Sequence, residues 1–166
     1  MSKAPSKTSS KAAKKDEEIK VLLRNKRARH DYFVEQTMEA GMVLTGSEVK
    51  SLREARAVIS DAYVMVRKGE AWLINLQVQE YAWANRFNHL PKRDRKLLLH
   101  RREIDKLDAA TAEQGMTALP LEIYLKDGRL KTLVGVCRGK KEYDKRHEQR
   151  KKEAQREVAA ALKRRS

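Results

Sequence analysis

The side chains whose types and spacing best suit binding chemistry form a short group near the start of the chain. Asn25, Lys26 and Arg27 are followed a few residues later by Tyr32 and Phe33. Cations contact phosphate groups and an aromatic ring stacks on an unpaired base, so this combination is typical of a surface that binds RNA. An alternative of equal weight is that a ring belongs to the core and the cations merely solvate an edge of the fold.

A second basic group falls within residues 91–114, for which a helix is predicted. It consists of Lys92, Arg93, Arg95, Lys96, Arg101 and Arg102. A solvated charged helix face is the slightly favoured interpretation, and contact with RNA is the alternative.

No arrangement of residues indicates catalysis or a bound cofactor. The four histidines are scattered and Cys137 is the single cysteine, so neither paired zinc ligands nor a disulfide is expected. The stretch 135–141 resembles a phosphate-binding loop, but it has too few residues between its glycines and places Lys141 where magnesium needs a hydroxyl. We therefore expect the protein to bind no metal and no cofactor and to have no enzymatic activity. A carboxylate-metal nuclease centre stays a minor alternative.

Positive charge is concentrated at the two ends of the chain. Of the formal net charge of +15, residues 1–15 supply +5 and residues 138–166 supply +7, whereas the stretch between them is nearly balanced. Each phosphate that a protein neutralises releases condensed counterions, so a body with two basic arms is suited to a polyanion. Nucleic acid is therefore the expected partner.

Composition divides the chain into a disordered basic arm at 1–15, an RNA-binding body at 16–139 and a basic tail at 140–166. The body has the size of one compact domain. The tail is predicted to be disordered when free and helical when bound, because it carries too few apolar residues to dock on a core. As a helix it would align cations suited to a phosphate-lined groove, namely Lys141, Lys145, Lys152, Arg156 and Lys163.

Hydrophobic periodicity predicts the elements that position these residues. Residues 16–24 have the period of a short amphipathic helix, and residues 30–44 alternate as a long strand that bends at Ala40-Gly41. The spacing of Thr45 and Glu48 predicts a capping box at the start of a short helix.

Two hairpins follow from turn signals at Lys68-Gly69, between strands 59–66 and 70–81, and at Asp127-Gly128. Between the hairpins, Pro91 suits the first turn of a helix that runs to about residue 114.

The predicted fold is mainly β with helices. Five or so antiparallel strands cannot leave one sheet face exposed, so we expect a small closed barrel of oligonucleotide-binding (OB) type with helices at its openings. A split α+β sheet is the alternative. The chain shows no secretory signal and no span of membrane length, and its cysteine usage favours a reduced, cytoplasmic setting without a membrane partner.

Four long segments occur in the order found in one family. They are NKRARHDYFV at 25–34, EAGMVLTGSEVKSLREARA at 39–57, RKLLLHRREIDKL at 95–107 and GVCRGKKEYDKR at 135–146. Together they closely resemble the small protein B family, the bacterial partners of transfer-messenger RNA. The likeness covers roughly residues 25–150, and four ordered motifs are far more specific than any short pattern.

The resemblance implies a barrel of OB type that grips the tRNA-like domain of transfer-messenger RNA and travels with it and elongation factor Tu to stalled ribosomes. It also implies that the tail enters the empty mRNA channel of the ribosome beside the 16S rRNA. A monomer is expected.

The resemblance also implies particular contact residues. Those facing the tRNA-like domain are Asn25, Lys26, Arg27, Tyr32, Glu39, Leu98 and His100. A carboxylate such as Glu39 can accept hydrogen bonds from the amino group of an exposed base, and a buried core position is an equal alternative for Leu98. Those at the decoding centre and in the mRNA channel are Gly139, Lys140, Lys141, Tyr143, Asp144, Lys145, Arg146, Lys152 and Arg156.

Two other classes of protein share the charge layout. A general RNA chaperone would bind many structured RNAs alike, and an RNA-processing enzyme would cleave RNA with a divalent ion. Competition by ordinary elongator tRNA and divalent-dependent cleavage distinguish them from the preferred class.

Overall fold

A computed structural model of the chain describes residues 18–84 and 87–165; the expected basic arm at 1–15 lies outside the described residues. The strands are β1 (Ile19–Arg24), β2 (Tyr32–Met42), β3 (Ala57–Val58), β4 (Tyr63–Arg67), β5 (Glu70–Ile74), β6 (Gln77–Val78), β7 (Arg95–Leu98), β8 (Met116–Lys126) and β9 (Arg129–Gly139). The helices are α1 (Lys26–Asp31), α2 (Gly46–Arg53), α3 (Arg101–Ala112) and α4 (Glu142–Arg165).

Antiparallel pairing closes the main sheet into a ring in the order β8, β4, β5, β7, β2 and β9, because β9 pairs back onto β8. Strand β1 adds to β8, and β3 pairs with β6 in a separate two-stranded sheet. The core inside the ring includes Leu73, Leu97 and Ile123, with Leu52 from α2 and Leu107 from α3 packed against it. The prediction of a mainly β fold with helices is confirmed.

Both predicted hairpins form, but the first is shorter than the predicted strands 59–66 and 70–81. Its strands are β4 and β5, because the chain turns at Asn75 with a φ of 59° and Gln77–Val78 pairs with β3 instead. Asp127 and Gly128 adopt positive φ angles of 50° and 79° between β8 and β9, and Lys68 and Gly69 do the same between β4 and β5. Two successive positive φ angles are the conformation that matches the twist of antiparallel strands. The strong Asp-Gly signal therefore fixes the register of the longest strand pair.

The predicted helix at 16–24 is wrong, since residues 19–24 form strand β1. Its backbone pairs with β8 from Ile19 opposite Lys126 to Arg24 opposite Glu122. The register shifts between Val21 and Leu23, and this bulge breaks the alternation that normally reveals a strand. The apolar residues of this segment therefore have the spacing typical of a helix, which explains the wrong prediction.

The predicted helix from Pro91 is also wrong over its first half. Residues Arg95–Leu98 are β7, which closes the ring between β5 and β2, and the helix begins only at Arg101. It ends at Ala112, and Gly115 follows with a φ of 81°. Residues 95–98 pair with β5 and β2 to close the ring, and these long-range contacts outweigh the helical pattern of charges.

The bend in β2 lies elsewhere than predicted. The irregularity falls between Val34 and Gln36, not at Ala40-Gly41. Gly41 serves close packing instead, because a Cβ atom there would lie 3.3 Å from the Leu98 Cβ. The predicted helix after Thr45 is confirmed as α2, where the Thr45 N–H donates to Glu48 Oε2 over 3.0 Å.

The tail is helical as α4 in the single chain, which differs from the prediction of disorder without a partner. Polar contacts at the start of the helix replace the apolar docking that the tail lacks. Lys145 Nζ lies 3.3 Å from Asp31 Oδ1, and the Lys141 N–H donates to Asp144 Oδ2 over 3.3 Å. All of α4 from residue 151 to residue 165 is exposed. Among the described residues, no helix combines the length and apolar character needed to cross a bilayer.

Candidate nucleic-acid interface

Three of the residues implied to face RNA line a single surface cavity of about 710 Å³. Glu39 comes from β2, Leu98 from the end of β7, and His100 from the start of α3. The other lining residues are Gly41, Gly69, Glu70, Lys96, Leu97, Leu99, Glu103, Ile104 and Lys131. The lining combines apolar side chains with the His100 ring, two lysines and three carboxylates, so it offers both donors and acceptors to the edge of a nucleotide base.

Pairing between β2 and β7 brings these residues together. Gly41 lies opposite Leu98 in the register, and the missing side chain of Gly41 lets the Leu98 side chain pack closely over the strand. Leu98 nevertheless stays 55% exposed, which rejects the core alternative for this residue. The His100 N–H donates to Glu103 Oε2 over 2.9 Å at the start of α3, so the backbone that presents the His100 ring is held in place.

Glu39 is a preorganised acceptor at the edge of the cavity. The Tyr124 hydroxyl donates a short hydrogen bond to Glu39 Oε2, and Lys126 Nζ lies 3.4 Å from Oε1. The hydrogen bond from Tyr124, followed by the charge of Lys126, lowers the pKa of Glu39 against the opposing effect of burial. Burial and the neighbouring carboxylate raise the pKa of Tyr124, so its hydroxyl remains a donor. Glu39 is thus ionised at neutral pH and able to accept from a base amino group.

Asn25 differs from the expectation of a direct RNA contact, because it is buried with only 2% exposure. Its Oδ1 accepts from the Ala28 N–H over 3.0 Å and so caps α1, while its Nδ2 donates to the Pro120 carbonyl over 2.9 Å. With these bonds inside the protein, Asn25 anchors α1 to β8. The cations that follow it owe their position to this cap.

The residues after Asn25 form a second, separate group at α1. Lys26 is exposed, whereas Arg27 Nη1 lies 2.9 Å from Asp61 Oδ1 in an exposed ion pair. Tyr32 is half-buried and lines a cavity of about 350 Å³ together with Arg27 and Asp61. Tyr32 precedes Glu39 by seven residues on one strand, a separation of about 23 Å. The structure therefore divides the implied RNA-facing residues between two places.

The implied ribosome-facing residues begin where β9 ends at Gly139. Lys140 is the anchor of the tail: its side chain is almost fully buried, its Nζ lies 4.9 Å from the centre of the Phe33 ring, and its N–H donates to the Asp31 carbonyl over 2.8 Å. The Lys140 ammonium also pairs with Glu148, nearly two turns into α4. Lys140 is consequently committed to the protein and does not present its charge to solvent.

The remaining tail residues become freer with distance from Lys140. Lys145 pairs with Asp31, and Arg146 Nη2 lies 3.8 Å from Glu142 on the exposed side of the helix. Tyr143 is 76% exposed, which leaves its ring open to stacking. Asp144 accepts from the Lys141 N–H, and Lys152 and Arg156 lie on the fully exposed part of α4.

Sequence reasoning missed a buried ionic cluster formed by Glu48, Arg93 and Arg95. Arg95 Nε lies 3.0 Å from Glu48 Oε1 with both side chains fully buried, and Arg93 Nη2 lies 2.7 Å from Glu48 Oε2. Arg95 also donates to the carbonyls of Leu76, Pro91 and Arg93. Arg95 and Leu97 alternate on the buried face of β7, so the period of two was the signal that could have revealed the burial.

Opposing effects set the charge of this cluster. Burial alone raises the pKa of Glu48, but hydrogen bonds from Arg93 and the Thr45 backbone and the charge of Arg95 bring it below its usual value. Burial lowers the pKa of Arg95, whereas the hydrogen bond to Glu48 raises that of Arg93. At neutral pH both arginines and Glu48 are charged, so the cluster ties α2 to β7 electrostatically.

Cys137 lies buried on β9, where its Sγ is 3.4 Å from the Gly135 carbonyl. Burial raises the pKa of the Cys137 thiol to about 11. The thiol is therefore neutral and unreactive at physiological pH.

Comparisons with known proteins all point to one family. A family model described as SmpB protein matches residues 22–164. The SsrA-binding protein of Lysinibacillus sphaericus is 54% identical over 144 residues, which is 87% of this chain and 93% of that protein. The SsrA-binding protein of Thermobifida fusca is 53% identical over 146 residues, 88% of this chain and 91% of that protein.

A solved structure is similar in fold as well as in sequence. It is described as "tmRNA-SmpB: a journey to the center of the bacterial ribosome", and it matches with a TM-score of 0.62 and 42% identity. The match covers 72% of this chain and 85% of that one.

Proposed function

Because this chain belongs to the SmpB protein family, we propose that it binds the tRNA-like domain of transfer-messenger RNA and delivers it to stalled ribosomes for trans-translation. The observation that carries this proposal is the convergence of Glu39, Leu98 and His100 on one cavity. Lys131 lines the same cavity, and so does Lys96, which is paired with Glu70. The protein acts by binding and positioning RNA, without catalysing a covalent step itself.

The closed ring of strands is the rigid part of this proposal and is best interpreted as a barrel of OB type, a fold that presents one face to nucleic acids. The body at 16–139 grips RNA, and the tail at 140–166 occupies the empty mRNA channel beside the 16S rRNA. The carrier complex includes elongation factor Tu, contacted through the RNA. We propose that one cytoplasmic monomer serves each RNA.

Competition binding tests the proposed partner. Full-length protein is mixed with labelled tRNA-like domain and increasing amounts of unlabelled RNA in a filter-binding assay. We expect unlabelled tRNA-like domain to displace the label at far lower concentration than elongator tRNA or duplex RNA. Equal displacement by all three would instead establish a general RNA chaperone.

Replacing the acceptor in the cavity is expected to weaken RNA binding. Glu39→Gln removes the charge that accepts from a base amino group and loosens the hydrogen bond from Tyr124, so we expect the Kd for the tRNA-like domain to rise about tenfold, as for loss of one charged hydrogen bond. Isothermal titration calorimetry measures the change. Glu35→Gln is the matched control, because Glu35 lies on the same strand, is exposed and pairs with Arg138. Equal affinity of the two variants would remove Glu39 from the interface.

Binding should also weaken steeply with salt. In a plot of the logarithm of the association constant against the logarithm of the salt concentration, counterion release makes the slope more negative by roughly 0.7 to 0.9 for each phosphate contacted. Measuring Kd from 50 to 300 mM potassium chloride, roughly the range over which phosphate contacts lose most of their affinity, gives the number of contacts. A flat response would contradict recognition through the phosphate backbone.

A further inference from the structure

A second surface cavity adjoins the one that contains Glu39 and His100. Its volume is about 340 Å³, within the roughly 300 to 1,000 Å³ that is typical of sites for small ligands. We call the cavity at Glu39 the first cavity and this one the second cavity. The two share three lining residues, Gly41, Leu98 and Lys131. A ligand in the first cavity therefore lies directly beside the second.

Strand pairing forms the boundary between the two cavities. In the register of the sheet, Gly41 on β2 lies opposite Leu98 on β7 and opposite Lys131 on β9. Gly41 has no side chain, so Leu98 packs over its backbone: a Cβ atom at Gly41 would lie 3.4 Å from Leu98 Cδ1. Leu98 is exposed and lines both cavities. Its side chain therefore stands as an apolar projection between them.

Apolar side chains form much of the second cavity. Besides Leu98, they are Met42, Leu44, Val49 and Leu130, and all four are half-buried. Three of them, Met42, Leu44 and Leu130, also pack against the core, so the fold fixes their positions. Covering the apolar surface that remains in contact with water is favourable. The second cavity thus offers a preformed surface for the flat face of a base.

Charge distinguishes the two cavities. The first contains the carboxylates of Glu39, Glu70 and Glu103. Among the described residues that line the second, none carries a carboxylate, and the charged side chains are Arg129 and Lys131. Arg129 is exposed at the start of β9 and forms no ion pair within residues 18–84 and 87–165. An apolar surface bordered by cations favours a flat ligand that carries negative charge, which describes a nucleotide better than an apolar protein side chain.

We propose that the second cavity binds an unpaired base of the tRNA-like domain, next in the RNA to the base held at Glu39, and that Arg129 contacts the phosphate of this nucleotide. The continuity of the two cavities supports RNA as the occupant, because a strand seated at Glu39 that continues past Leu98 enters the second cavity. Leu98 then separates two successive bases, as apolar side chains do when they insert between base steps. The inference rests on the proposed function, since it extends the interface with the same RNA.

Filling the second cavity tests whether the RNA uses it. Val49→Phe in the full-length protein adds a ring at the lining, and Val49→Ala is the matched control, because it removes volume at the same position. We expect Val49→Phe to raise the Kd for the tRNA-like domain about tenfold and Val49→Ala to leave it within about threefold. Filter binding measures both, and melting temperatures verify folding. Parental affinity of a folded Val49→Phe variant would overturn the proposal.

Abasic nucleotides, placed one at a time at the unpaired positions of the tRNA-like domain, identify the occupant as a base. At one position, the abasic nucleotide and Val49→Phe remove the same contact, so their effects on the Kd should not multiply. At a neighbouring position, the same should hold for the abasic nucleotide and Glu39→Gln. Effects of Val49→Phe that multiply with those of every abasic nucleotide would exclude a base from the second cavity and overturn the proposal.

The phosphate contact has a test that leaves the core intact, because Arg129 is exposed. We expect Arg129→Gln to weaken binding at low salt and to make the salt slope less negative by roughly 0.7 to 0.9, the value for one phosphate. Arg56→Gln is the control, since Arg56 is exposed, pairs with Glu54 and lines neither cavity. It should keep the parental slope, and a parental slope for Arg129→Gln would contradict the proposal.

Competition with elongator tRNA separates failure of the second cavity from failure of the proposed function. If the parent protein does not prefer the tRNA-like domain, the proposed function fails. If the parent protein prefers this RNA and the Val49→Phe and Arg129→Gln variants bind it equally well, only the second cavity fails.

Discussion

Ending the chain after Gly139 is expected to abolish the tagging of incomplete peptides on stalled ribosomes while leaving affinity for the tRNA-like domain within about twofold of the parent value. The cavity residues Glu39, Leu98 and His100 all lie before this point, and within the described part of the chain none of them forms a hydrogen bond or ion pair with α4. The exposed cations of the tail, in contrast, are the groups that a vacant phosphate-lined channel would attract. In vitro translation of a message without a stop codon measures tagging, and filter binding measures RNA affinity.

A second truncation separates the two parts of the tail. Ending the chain after Arg150 preserves the anchor at Lys140 and its pair with Glu148 but removes the fully exposed part of α4. We expect this shorter deletion also to abolish tagging, with an unchanged melting temperature for the body. Loss of affinity for the tRNA-like domain in either truncation would show that the tail contacts this RNA, which would contradict its assignment to the mRNA channel.

Glu48→Gln is expected to lower the free energy of unfolding by about 3 to 5 kcal/mol, because it leaves the buried guanidinium of Arg95 without its counter-charge. Gln keeps the size of the side chain, so the loss reports charge and not a cavity. Chemical denaturation monitored by circular dichroism gives the change. Glu70→Gln is the control, since the exposed Glu70–Lys96 pair should contribute at most about 1 kcal/mol.

The pH dependence of stability gives an independent check. The pKa of Glu48 is lower in the folded protein than its ordinary value of 4.5. Its contribution is therefore fully present above that ordinary value and is lost as the pH falls through the lower folded value. Between neutral pH and acid, the parent protein should lose more stability than Glu48→Gln does. Parallel pH profiles for the two proteins would mean that Glu48 is not ionised in the cluster.

Local signals predicted the parts of the fold that depend on a few neighbouring residues. Asp127-Gly128 specifies a turn through its own backbone preferences, and the Thr45–Glu48 cap involves groups three residues apart. Strands β1 and β7 depend on partners distant in the chain. Leu97, for example, becomes a strand residue because Ala71 lies opposite it, and no local pattern states that pairing.

The same contrast between local signals and long-range pairing applies to the candidate site. The motifs indicated Glu39 and His100, yet their meeting at one cavity depends on the pairing of β2 with β7. Asn25 was assigned to RNA by the family resemblance, whereas in the fold its side chain is buried and forms hydrogen bonds with Ala28, Pro120 and Ile59. The charge of Arg95 suggested solvent, whereas its buried partner Glu48 and three backbone carbonyls stabilise it in the interior.

The anchored start of α4 has a mechanical consequence. With 24 residues, the helix is about 36 Å long at a rise of about 1.5 Å per residue. Its start is fastened to the body near Lys140 and Lys145, at Asp31 and Phe33. A tilt of roughly 10° at that fulcrum would sweep the far tip through about 6 Å, as follows from the length of the rod. A small change in the orientation of α4 beside α1 therefore produces a much larger displacement at the far end of the helix.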